Sequence, residues 1–123
     1  MIKLMVDEAY AFDYYSIFEL KFKNNFVPLK TVEGIKENLI SELGLDKFTN
    51  VINSREYEDL LKANKLTFDA VDMAKTDEVK ASYVDICNYQ RMLAKKALQN
   101  KFFTTKLTEI KIGYDKLKNF KNE

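Results

Sequence analysis

Nineteen carboxylates are the groups in this 123-residue chain whose number and spacing could do chemistry. Helical enzymes that act on nucleotides hold magnesium between carboxylates projecting from adjacent helices, because a hard cation takes oxygen ligands and polarises a phosphoryl group. Glu8 and Glu19 fall on one helical face, and so do Asp69 and Asp72; Glu56, Asp59, Asp77, Glu78 and Asp85 extend the pool. A structural use competes for most of them. Asp7, Asp77 and Glu78 stand where helices begin, where a carboxylate meets the positive end of the helix dipole. Asp69 and Asp72 suit a solvated face. A small magnesium-dependent enzyme acting on a phosphorylated or nucleotide substrate is therefore the alternative reading, and no residue is assigned as catalytic or metal-binding.

Other chemistry is excluded by composition. The chain has no His, no Trp and one Cys. Without His there is no Ser–His or Cys–His nucleophile pair and no Glu-x-x-His ligand set of a carboxylate-bridged di-iron bundle. Cys87 lies beside Ile86 on an apolar stripe and reads as a small buried filler. Gly34, Gly44 and Gly113 are too far apart to build a phosphate-cradling loop. No cofactor is indicated, and the reading leans away from an enzyme.

The elements that must position these residues are helices. Asp7 can cap a helix running to about Lys23, ended by Asn24-Asn25 and stopped by Pro28. Its apolar residues surround most of its circumference, where an ordinary surface helix shows one stripe. A second helix is expected from Thr31 to Gly44, with stripe Ile35, Leu39, Ile40 and Leu43. Leu45 to Asn53 reads as a connector with one helical turn, and Ser54 as the cap of a third segment. In that segment Tyr57, Leu60, Leu61, Phe68 and Val71 share a face, with a break near Asn64. Thr76, followed by Asp77 and Glu78, predicts the start of the longest helix, from Asp77 to about Asn100. Along it Val79, Tyr83, Ile86, Gln90, Leu93 and Ala97 form a seam of alternating four- and three-residue steps. Leu107, Ile110, Tyr114 and Leu117 repeat that spacing, so an antiparallel C-terminal helical hairpin is expected, with a strand near Leu107 to Tyr114 as the other reading. The fold class is all-α, a single-domain bundle of about four to five helices. A chain of this length buries roughly two-thirds of its unfolded surface without staples.

Charge is unevenly placed. Residues 1–90 hold 11 basic and 16 acidic side chains, and residues 91–123 hold nine and three. The basic end, with Lys95, Lys96 and Lys111 as the candidate anion contacts, suggests nucleic acid as a third function. Against it, the 20 basic residues include only Arg55 and Arg91 as arginines, so planar bidentate phosphate recognition is scarce. A lone Cys gives no sign of an oxidising compartment, and no stretch approaches the roughly 20 apolar residues of a membrane span. A cytoplasmic location and no membrane partner are expected.

Seven Tyr and nine Phe carry the remaining functional weight. Tyr10, Tyr14, Tyr15, Phe18 and Phe22 on the first helix, with Leu107, Ile110, Tyr114 and Leu117 at the end, are the candidate interface residues. Aromatic rings that keep a hydroxyl hydrogen-bonded are enriched where proteins meet. The leading expectation is a non-enzymatic interaction protein that forms a homodimer or binds another protein. Through Phe68-Asp69-Ala70-Val71-Asp72-Met73-Ala74-Lys75 and Ile112-Gly113-Tyr114 the chain resembles uncharacterised small helical proteins of tailed phages of marine bacteria. That resemblance implies a host-cytoplasmic setting and assigns no residue a role.

Overall fold

A computed structural model describes residues 2, 5–76 and 80–104. Five helices follow in order: α1 Glu8–Lys23, α2 Leu29–Leu43, α3 Leu45–Ile52, α4 Arg55–Lys75 and α5 Ala81–Phe102. No strand occurs among the described residues, so the all-α bundle is the fold. The last stretch, with the strand reading and the second arm of the expected C-terminal hairpin, lies outside them.

The long antiparallel pair is α4 with α5. Glu56 meets Lys101 at one end, while Asn64 and Arg91 both reach Asp13 at mid-length. On one side of this pair lie α1, α2 and α3. Their core is aromatic: Phe12 stacks on Phe48 at 6.1 Å between ring centres, and Tyr57 and Phe103 pack against Phe12 at 6.2 and 6.3 Å. Ala9, Val32, Leu39, Val51, Leu60 and Leu98 fill in around the rings.

Local signals explain most boundaries. Asn25 ends α1 in the left-handed region at φ 61°, with Asn25 N–H donating to the Phe22 carbonyl and Phe26 N–H to that of Lys21; this closes the helix on its own carbonyls. Gly44, at φ 86° and ψ 154°, joins α2 to α3 in a conformation open to glycine alone. Ser54 caps α4, its Oγ accepting from Tyr57 N–H at 3.1 Å.

Three expectations need correction. The Leu45–Asn53 connector is an eight-residue helix, since its Phe48 and Val51 are buried on one face. No break occurs at Asn64: α4 is continuous, and the polar residue in its stripe faces α1, where Asp13 and Ser16 accept from its amide. Thr76 closes α4 instead of opening the next helix, its N–H and Oγ1 both donating to the Met73 carbonyl. The described part of α5 begins at Ala81 and runs two residues past Asn100; Asp77, Glu78 and Val79 lie outside the described residues.

Candidate functional site

The seam expected along α5 lies on the opposite side from its buried face. Cys87, Lys95, Leu98 and Gln99 are buried toward α1 and α4, whereas Tyr83, Ile86, Gln90, Leu93 and Ala97 are exposed. Ile86 keeps 55% of its surface and Leu93 44%. Alternating steps of three and four residues fix a stripe but not which way it faces. In this helix the side toward the bundle carries polar as well as apolar groups.

That polar side is fully organised. Arg91 donates to both oxygens of Asp13, Nε to Oδ1 at 3.1 Å and Nη2 to Oδ2 at 2.7 Å. Asn64 donates to Asp13 Oδ1 at 2.9 Å and to Ser16 Oγ at 2.6 Å, and Ser16 donates to the Asp13 carbonyl at 2.7 Å. One turn further on, Lys95 Nζ stands 5.7 Å from the centre of the Tyr10 ring. Gln99 then accepts from Ala9 N–H and donates to Glu8, both at 2.8 Å. A bidentate guanidinium–carboxylate pair with every neighbour occupied orients helices against one another. It presents no open position to a substrate.

With Asp13 and Ser16 turned inward beside Phe12 and Tyr15, α1 turns other aromatic residues outward. Tyr10 is 41% exposed, Tyr14 48% and Phe22 39%. The Tyr14 ring lies 4.7 Å from that of half-buried Phe18, under Lys21. Tyr15, expected at an interface, instead belongs to the core, 5.7 Å from Phe48. It sits about 140° around the helix from Tyr10, on the side that faces α3 and α4. Burial and the Glu19 carboxylate raise the phenols of Tyr15 and Tyr57 well above their ordinary 10.0; Tyr57 donates to Glu19 at 3.1 Å.

Of the candidate anion contacts, Lys95 and Lys96 point different ways. Lys95 is buried, Lys96 is exposed, and Lys111 lies outside the described residues. Lys95 is thus a core contact rather than a phosphate ligand, because its ammonium is held against Tyr10. Leu107, Ile110, Tyr114 and Leu117 also lie outside the described residues.

The carboxylates disperse as well. Glu8 binds Gln99, Glu19 accepts from Tyr57, Asp59 faces Arg55, and Asp69 faces Lys65. Lys101, 2.9 Å from Glu56, holds that carboxyl below its ordinary value by hydrogen bonding. Among the described residues no three Asp, Glu, Cys or His side chains converge to hold a metal ion.

Two recesses stand out among the described residues. One, of about 650 Å³, lies between the N-terminal segment, α1 and α2, lined by Met5, Val6, Ala11, Leu39 and Leu43, with Glu8, Asn38 and Glu42 among them. The other, of about 390 Å³, is a groove between α4 and α5 on the face away from α1, where Ala63 and Leu66 meet Gln90, Leu93 and Ala94. Among the described residues no helix is long and apolar enough to cross a membrane. No protein-family model, curated protein or solved structure matches the chain.

Proposed function

We propose that the protein is a non-enzymatic helical interaction protein that associates with a second copy or with another protein. One observation carries this reading: α1 buries its own aspartate and serine while presenting Tyr10 and Tyr14 to solvent. Keeping Asp13 inside requires Arg91 and Asn64 as partners, whereas the phenol rings of Tyr10 and Tyr14 keep nearly half of their surface open to solvent. Tyrosine side chains bring large, rigid area at low conformational cost, which suits a contact surface. The dispersed, individually partnered carboxylates give no support to a magnesium-dependent reaction.

Native mass spectrometry of gently purified, untagged protein tests the proposal. A dimer or a co-purified protein is the expected result. A monomer that retains a nucleotide or a divalent ion would overturn it.

A further inference from the structure

We infer that the outer face of the α4–α5 pair is a two-fold interface onto which a second copy of this chain docks, the two pairs closing into a four-helix bundle. The inference rests on the reading of the protein as self-associating and names the surface and partner.

The spacing of the face is self-complementary. Around Gln90, Tyr83 and Ala97 stand seven residues before and after, Ile86 four before and Leu93 three after. A two-fold axis crossing α5 at Gln90 runs the two α5 helices antiparallel. It sets the large Tyr83 ring over the small Ala97 of the other copy and Ile86 over Leu93. Such an isologous contact needs one patch that matches itself, and this patch does.

The neighbouring helix has the same centre. The groove places Leu66 of α4 level with Gln90 of α5. Leu66 is 40% exposed, and Met73 at the far end is 39% exposed. Lys62 lies four residues before Leu66 and Asp69 three after, so the same axis brings Lys62 of one copy to Asp69 of the other, twice. Within one chain these two hold exposed contacts, Lys62 to Glu58 at 3.0 Å and Lys65 to Asp69 at 3.1 Å. Exposed pairs spaced four residues apart on a helix are weak and readily shared. A face with Leu66 and Gln90 at its centre, apolar residues on either side and opposite charges at matched offsets is specific for its own copy rather than for any apolar surface.

The area suffices. Helices of 21 and 22 residues are about 30 Å long and about 10 Å wide, giving a face of about 600 Å² per copy. Two such faces bury about 1,200 Å², the lower bound of stable specific interfaces.

The test is sedimentation equilibrium of the full chain up to about 100 µM, with substitutions at exposed positions that leave the core untouched. Wild type is expected to dimerise, and Leu93→Glu to weaken the dimer by about 100-fold. Asp69→Lys weakens it about fivefold by placing like charges together, and Lys62→Asp combined with Asp69→Lys restores it. Gln90→Cys, on the axis, forms an inter-copy disulfide on mild oxidation, because Cys87 is buried and does not compete. A dimer indifferent to Leu93→Glu and abolished by Tyr10→Ser with Tyr14→Ser would overturn this surface while leaving the interaction reading intact. A photo-cross-linker at position 93 that captures residues 105–123 of its own chain would make that segment the occupant and overturn it equally. A monomer with no partner at any concentration would remove both.

Discussion

The two long sides of α5 are both mixed, with polar groups turned inward beside Leu98 and apolar side chains turned outward among Asp85, Gln90, Lys96 and Asn100. Toward the bundle it places Arg91, Lys95 and Gln99 with Cys87 and Leu98; toward solvent it places Tyr83, Ile86, Leu93 and Ala97. The inner side obtains orientation from its polar groups, because a bidentate Arg91–Asp13 pair joined by Asn64 and Ser16 fits only one register of α1 against α4 and α5. Among the described residues the outer side has no such constraint. The contrast teaches that hydrophobic residues on a helix need not mark the face toward its own core, and that a polar contact can decide which face turns inward.

The largest expected effect separates two leucines five residues apart on this helix. Leu98→Ala removes a fully buried side chain and should cost about 3 kcal/mol in chemical denaturation. Leu93→Ala, measured at concentrations below dimerisation, should change stability by less than about 0.5 kcal/mol. Equal costs would break the comparison by showing that both sides are core.

Asp13→Ala should cost nearly as much as the core leucine, about 3 kcal/mol, since Arg91 and Asn64 are left without their shared acceptor. Replacing the pair together, Asp13→Leu with Arg91→Met, should recover most of the loss. If the double variant is no better than the single one, the polar side contributes stability rather than orientation.

Gly44→Ala should cost about 1–2 kcal/mol although nothing stands within 4 Å of an added Cβ, because its backbone lies where side chains rarely go. A neutral result would place α2 and α3 under no fixed constraint. The mildest expected effect is pH-dependent. The Tyr15 and Tyr57 phenols are raised above 10.0 in the folded chain, so the unfolded chain ionises first as pH rises. Their contribution is complete below pH 10 and is lost above it, towards the raised folded value. Tyr57→Phe should flatten that alkaline decline, as followed by circular dichroism.

Much of the fold was legible because it is written locally. Asn24-Asn25, Pro28, Gly44 and Ser54 each act within a few residues, through a left-handed turn, a missing N–H or a hydroxyl acceptor, and each marks a boundary of the structure. What the sequence withheld depends on contacts far along the chain. Asn64 looked like a break because its partners, Asp13 and Ser16, lie 51 and 48 residues away. Tyr15 and Tyr14 are adjacent and alike, yet one belongs to the core and the other to the surface; only the position of α3 and α4 separates them. Lys95 looked like part of a basic patch because no local signal shows that Tyr10 covers it. The exposed interface candidates Tyr10 and Tyr14 follow from an aromatic excess on α1 that one helix face could not absorb. The seam of α5 was legible in spacing but not in direction.

Asp7 precedes α1 in the position of a cap, yet no side-chain cap bond forms there; the second N–H of the helix is satisfied by Gln99, 90 residues later. During synthesis, α1 therefore leaves the ribosome long before the residue that completes its first turn. A peptide of residues 5–26 alone should fray at its start, and adding the remainder of the chain should restore it. Of the five described helices the earliest made is finished last, so α1 is secured only when α5 arrives.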